Sequence, residues 1–172
     1  MRIYLVGYMY SGKTTMGRQL ARRLDYTFHD LDVAFEHRYR CSIPLFFQQY
    51  GEEAFRQLER QMLQRTASLE NTVVSTGGGT PCFFDNMEFI NSNGLSIYLQ
   101  MSEDALIARM VKSKKTRPTF AHMSEEERRT KLSKQLQQRI PFYQQAQLTV
   151  NAFNPDINSI AQTILDKMHD VQ

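Results

Sequence analysis

Short apolar runs alternate along this chain with longer stretches in which apolar residues recur every three or four positions. The run "RIYLV", Arg2 to Val6, is unbroken enough to predict a strand buried on both faces. Directly after the next few residues comes "KTTMGRQLARRL", where Met16, Leu20 and Leu24 fall four apart and share one face of a helix. "YTFHDLD" predicts a second short strand ending near Asp30. A charged helical region is expected from Val33 to about Leu69, interrupted by Pro44 and Gly51. "TVVST" (Thr72 to Thr76) predicts a third strand, stopped by "GGG"; "LSIYL" (Leu95 to Leu99) a fourth; "QLTVN" (Gln147 to Asn151) a fifth. A last helix is expected from about Asp156 to Met168. Strands separated by helices imply an α/β fold, a parallel sheet covered on both faces. The segment from Lys112 to Ser124 departs from the pattern. It is polar, basic and weakly periodic, and reads as a mobile surface loop.

Composition narrows the class only a little. A length of 172 residues fits one domain with a sizeable core. The hydrophobic fraction of 41% and charged fraction of 23% are ordinary for a soluble globular protein. A net charge of +3 is too balanced to argue for nucleic acid. No apolar run approaches the ~18 residues of a membrane span, and a chain that enters a strand at once is expected to carry no signal peptide. Cys41 and Cys82 form no metal or redox spacing, which fits two free thiols in a reducing compartment. The expectation is a cytoplasmic monomer with no nucleic-acid or membrane partner.

The chemistry starts at "GYMYSGKT", Gly7 to Thr14: Gly, four residues, then Gly-Lys-Thr, between a predicted strand and a predicted helix. In such a loop the backbone N–H groups turn inward onto phosphate oxygens, and glycines keep side chains out of the way. The helix behind it presents its positive end. Lys13 supplies a mobile cation to the terminal phosphates and Thr14 a hydroxyl to Mg²⁺. Tyr10, Ser11, Gly12 and Thr15 complete the expected ATP-binding set. The alternative is a turn before an ordinary helix. Tyr8 and Tyr10 are bulky for this loop, so their side chains are expected to point outward. No Asn-Lys-x-Asp stretch marks guanine specificity, and the third strand ends in glycines rather than in the aspartate of a motor or transport ATPase. A small-molecule kinase remains.

A kinase also needs an acceptor site, and polar residues left over near strand ends are its candidates. Asp30 and Asp32 close the second strand, Arg56 follows Phe55, Gly77, Gly78 and Gly79 follow the third strand, and Arg139 stands two residues before Pro141. A pair of arginine forks suits a small carboxylic acid, glycines admit backbone donors to hydroxyls, and a strand-end carboxylate can orient or deprotonate an alcohol. Each has a plainer reading. Asp30 and Asp32 could cap a helix; Arg56 could pair with Glu52 or Glu59 on a helix surface; Arg139 and Arg109 could be surface cations; the glycines could be only a loop; the basic segment could be a solvated charge run.

Taken jointly and in this order, the phosphate loop, the Asp-x-Asp, the Phe-Arg, the Gly-Gly-Gly, the Arg-Pro of "KKTRPTF" and the Arg-x-Pro-x-Tyr of "RIPFY" resemble the shikimate kinase family over nearly the whole chain. The resemblance implies a P-loop kinase domain over residues 1–172, with strand order 2-3-1-4-5, a shikimate-binding region at about 32–61 and a lid at about 112–124. It implies that Asp32 takes a hydrogen bond from the hydroxyl to be phosphorylated, and that Arg56 and Arg139 hold the shikimate carboxylate. Gly78 would donate to the ring, with Gly77 and Gly79 beside it, and Ile43, Phe47 and Phe55 would form apolar walls. Asp30 would reach Mg²⁺, Arg117 would close on the phosphates, and Arg109 would stack on adenine. Three positions depart from the family pattern: Tyr10 replaces a usual glycine, "RPTF" replaces Arg-Pro followed by two leucines, and Phe153 stands where a basic residue often sits. The rival readings are a related kinase for another small hydroxy acid such as gluconate, and a nucleotide-binding regulatory module using the basic segment.

Overall fold

The computed structural model describes residues 1–113, 120 and 123–169. Five strands form one sheet: β1 (Arg2–Val6), β2 (Thr27–Asp30), β3 (Thr72–Ser75), β4 (Leu95–Gln100) and β5 (Leu148–Asn151). Every pairing is parallel and the order is β2-β3-β1-β4-β5, as the family resemblance implied. The three inner strands are buried almost throughout, which is why "RIYLV", "TVVS" and "LSIYL" read as continuous runs. The edge strands β2 and β5 are only partly covered, and polar residues such as His29 and Thr149 sit within them. With β1 central, the chain leaves it for β2 on one side and later crosses to β4 on the other. The loops that follow β1, β3 and β4 therefore gather at one edge, where open α/β sheets place their ligands.

Helix α1 (Lys13–Leu24) buries Met16, Leu20 and Ala21, the face expected from their spacing. The expected region from Val33 to Leu69 is two helices: α2 (Leu31–Tyr39), which ends at Arg40 in a left-handed conformation of φ 50°, and α3 (Ile43–Arg65). Pro44 opens α3, where its missing N–H costs nothing. Gly51 does interrupt it, with φ 80° and ψ 171°. Phe35 of α2 packs on α3, edge to face with Phe46 at 5.2 Å between ring centres and tilted against Phe55 at 4.8 Å, while Phe47 lies tilted on Phe55 at 4.6 Å within α3. Such pairs contribute about 0.5–1.5 kcal/mol each beyond their burial.

The remaining helices are α4 (Asn86–Asn93), α5 (Glu103–Lys112), α6 (Glu125–Tyr143) and α7 (Ile157–His169). Helix α6 starts on a capping box between Ser124 and Glu127. The expected surface loop from Lys112 to Ser124 needs one correction: Phe120 is buried in the core, with the Lys131 ammonium 5.4 Å from its ring centre. Arg117 lies outside the described residues.

Candidate active site

The loop between β1 and α1 forms the first half of the site. Gly7 and Gly12 adopt φ 144° and 94°, accessible to glycine and strained for other residues. Tyr10 stands at φ 68° without that freedom; a left-handed non-glycine residue costs roughly 1–2 kcal/mol. The carbonyl of Tyr10 accepts a hydrogen bond from Arg109 Nη1 at 3.1 Å, and Arg109 Nη2 donates to the Ala152 carbonyl at 3.3 Å. Arg109 thus clips the phosphate loop to the turn after β5, beside exposed Phe153. Side-chain oxygens cap α2, α3, α5 and α6, but α1 begins at Gly12 with no side-chain cap and no acidic residue in its first turn. Its first N–H groups face the loop, as an anion site requires.

Two features of this loop differ from expectation. Lys13 is buried rather than mobile in solvent: its ammonium donates to the Gly7 and Tyr8 carbonyls at 2.7 and 2.9 Å. Tyr8 is also buried, because its ring turns into the protein toward α6 instead of outward. Ser11 is buried with its hydroxyl unpartnered, and Thr15 is exposed in the first turn of α1.

Thr14 and Asp30 meet directly. The Thr14 hydroxyl donates to Asp30 Oδ2 at 2.8 Å, while Asp30 Oδ1 accepts from the N–H groups of Asp32 and Val33 at 3.1 and 3.3 Å. Asp30 is therefore the N-cap of α2 and a strand-end oxygen donor at once. Two oxygen donors this close, beside a phosphate loop, suit a hard cation such as Mg²⁺.

The second half of the site assembles around the three glycines. A Cβ on Gly77 would lie 2.9 Å from Asp32 Oδ1 and 2.9 Å from Glu59 Oε1. On Gly78 it would lie 3.1 Å from the Met9 nitrogen and 3.6 Å from Arg139 Nη1, and on Gly79 it would meet Arg56 Nη2 at 2.6 Å. The segment after β3 thus touches Asp32, Arg56, Arg139 and the phosphate loop together, and lacks side chains because these groups occupy the space. The Tyr143 hydroxyl donates to the Gly78 carbonyl at 2.5 Å.

Arg56 is not on a surface. Its guanidinium donates to buried Glu59 at 2.7 Å and to Glu52 at 3.1 Å, with side-chain exposures of 10, 5 and 56% for Arg56, Glu59 and Glu52. Phe83, Phe55 and Phe47 surround it, with ring centres 4.2, 5.1 and 5.9 Å away. Phe47 and Phe55 are thus walls of this region, while Ile43 is a partly buried residue at the start of α3. Glu59 also accepts from the Thr80 hydroxyl at 2.6 Å, so it is fixed from two sides. The pairing partners were readable from their i,i+4 and i,i+3 spacing, but burial of that helix face was not. Tyr143 entered the sequence reading only as the last residue of "RIPFY" and Tyr8 only as a bulky loop residue, with no sign of their contacts; Phe83 and Cys82 were not singled out for this site. Burial pushes the Cys82 thiol up to about 11, against the opposing pull of Arg139 and Arg56. Burial likewise raises the Tyr143 phenol well above its ordinary value. Both groups stay protonated at neutral pH.

A parallel sheet with a glycine-lysine phosphate loop after its central strand, a few ångströms from a glycine segment flanked by Arg56 and Arg139, defines a P-loop kinase. The chain belongs to the shikimate kinase family, a family of ATP-dependent phosphotransferases: the family model described as shikimate kinase matches residues 9–169. A shikimate kinase of Parabacteroides distasonis is 43% identical over 168 residues, covering 95% of this chain and 97% of that protein. The crystal structure of shikimate kinase from Bacteroides thetaiotaomicron superposes with a TM-score of 0.90 at 40% identity, over 98% of each chain. Shikimate kinase from Acinetobacter baumannii, solved in complex with shikimate, gives a TM-score of 0.85 at 32% identity, over 99% of this chain and 94% of that one. A gluconokinase from Sinorhizobium meliloti shares the fold at 19% identity and a TM-score of 0.61.

Proposed function

We propose that this chain transfers the γ-phosphate of ATP to the 3-hydroxyl of shikimate, a step toward aromatic amino acids, as a cytoplasmic monomer forming one kinase domain over residues 1–172. The observation that carries this reading is the close approach of Gly78 to both Met9 of the phosphate loop and Arg139. It supports an in-line transfer from a phosphate held by the loop to an acceptor held beside Arg139. That the Acinetobacter baumannii shikimate kinase has been solved with shikimate supports the choice of acceptor.

In this reading the loop N–H groups, Ser11 and Lys13 hold the phosphates. Lys13 gives up or shares its two loop carbonyls as charge develops on the transferred group. Arg109 fixes the loop at Tyr10 and stacks on the adenine. Thr14 and Asp30 would hold a magnesium ion brought with ATP, which neutralises phosphate charge when bound. Arg56 and Arg139 receive the acceptor's carboxylate. An incoming carboxylate replaces exposed Glu52, a partner worth about 0–1 kcal/mol. It leaves buried Glu59 in place, since breaking a buried pair costs roughly 3–5 kcal/mol. Gly77, Gly78 and Gly79 present the backbone to the ring hydroxyls. Asp32 orients the attacking hydroxyl and accepts its proton. Arg117 completes the charge on the phosphates from a lid at about 112–124, an assignment that follows from the family resemblance. The acceptor region is the segment at about 32–61.

An ADP-release assay across a panel of hydroxy acids tests this. Shikimate is expected to accelerate release and gluconate to leave it at the background rate. Equal stimulation by gluconate would move the chain to another kinase specificity, and no stimulation by any acid would favour a regulatory nucleotide-binding module.

A further inference from the structure

One face of α6 carries Gln135, Arg139 and Tyr143, each a turn apart. The three meet different parts of the site. Gln135 Oε1 accepts a hydrogen bond from the Tyr8 hydroxyl at 2.7 Å, and Tyr143 donates to the Gly78 carbonyl. Arg139 lies between them, its guanidinium carbon 5.5 Å from the centre of the Tyr8 ring. Tyr8 is 1% exposed and belongs to the phosphate loop, where its carbonyl accepts from Lys13 at 2.9 Å and from the Ser11 N–H at 3.2 Å. Phosphate binding uses backbone N–H groups and the lysine and has no need of a phenol here. The ring is spent on α6 instead.

Among the described residues Arg139 has no carboxylate partner, whereas Arg56 is pinned by two; the Arg139 guanidinium instead shares a side-chain hydrogen bond with the Tyr143 hydroxyl one turn further along α6. A single hydrogen bond at one edge still lets the guanidinium plane turn about it, so a second contact is needed to fix the plane. A ring face attracts the guanidinium through its quadrupole and leaves the in-plane N–H fork open to a carboxylate. We infer that Tyr8 is a positioning residue whose ring holds Arg139 in the orientation that receives the acceptor's carboxylate, so that the phosphate loop itself sets the acceptor site. The inference rests on the reading of Arg139 given above.

The test replaces residue 8 by leucine, by phenylalanine and by phenylalanines of increasing ring fluorination, which drain the ring quadrupole at nearly constant size. Shikimate KM and ADP affinity are measured for each, with Arg139→Ala as reference. Tyr8→Leu is expected to raise shikimate KM about 2- to 30-fold with ADP affinity unchanged. Tyr8→Phe should stay near the parent, and fluorination should raise KM stepwise. The fluorinated series decides the matter if the leucine variant does not fold. A flat KM along the series, with a raised KM in Arg139→Ala, overturns the inference and leaves the acceptor site standing. Parallel loss of ADP and shikimate affinity in Tyr8→Leu overturns it as loop damage. An unchanged KM in Arg139→Ala overturns the acceptor reading itself.

Discussion

Gly79→Ala isolates the position of Arg56 from every other variable. Gly79 has an ordinary backbone, φ −91° and ψ −19°, so alanine brings no strain there. The new Cβ would stand 2.6 Å from Nη2, 2.8 Å from Nη1 and 2.9 Å from Cζ of Arg56, where ordinary contact starts at 3.4 Å. The guanidinium must retreat by roughly 0.8 Å at its closest atom. Glu59 at 2.7 Å and the Phe83 ring at 4.2 Å oppose that movement. Breaking the buried pair would cost about 3–5 kcal/mol, so Arg56 keeps Glu59 and loses its alignment to the acceptor. Losing a charge-assisted hydrogen bond costs about 1.5–3 kcal/mol, or roughly 10- to 100-fold in kcat/KM for shikimate. The three atoms nearest the Cβ all belong to Arg56, so the KM for ATP should not change. Steady-state kinetics with each substrate varied, on a variant folded by circular dichroism, measure both. A wild-type kcat/KM for shikimate would refute the reasoning: Arg56 would then either yield freely or hold nothing.

Other outcomes follow from the same geometry. Asp32→Asn keeps size and an acceptor oxygen but loses the charge; kcat should fall by at least ~10²-fold if Asp32 takes the proton, whereas a raised KM with kcat intact would make it a clamp only. His29 has its pKa lowered from 6.5 by burial, with the nearby Asp30 opposing. Below pH 6.5 the unfolded chain therefore binds protons that the folded one refuses, and stability falls as pH drops through that value. Urea midpoints at pH values above and below it should converge in His29→Gln; an unchanged pH dependence would remove His29 from the effect. Cys82, held protonated up to about 11, should alkylate slowly with iodoacetamide near neutral pH and faster as pH rises toward that value. Neutral-pH labelling as fast as a free thiol would contradict its burial among Arg139, Tyr143 and Glu59.

The sheet was legible because its inner strands are buried on both faces and so spell continuous apolar runs. The phosphate loop was legible because glycine, lysine and threonine at fixed offsets have few other uses between a strand and a helix. Pro44 did mark an interruption: α2 ends at Tyr39 just before it, and the cap at Ser42 starts α3 afresh with the proline in its first turn. Arg56 shows the deeper limit. Its spacing to Glu52 and Glu59 was visible, yet whether that face meets water or Phe83 depends on how α3 packs against a segment some thirty residues later. The contacts of Tyr8 with Gln135 and of Tyr143 with Gly78 span 127 and 65 residues, and no local pattern encodes them. Phe120 is a single apolar residue in a polar stretch, too isolated for any periodicity to announce its burial.

The most direct measurement is the structure of the product. The enzyme is incubated with Mg-ATP and shikimate, and phosphorus–proton correlation NMR identifies the carbon that carries the new phosphate. The account predicts one phosphate monoester, on the 3-hydroxyl, formed in equal amount to ADP. Phosphate on another hydroxyl would contradict the role proposed for Asp32 at the 3-hydroxyl, and ADP with only inorganic phosphate would contradict transfer to shikimate altogether.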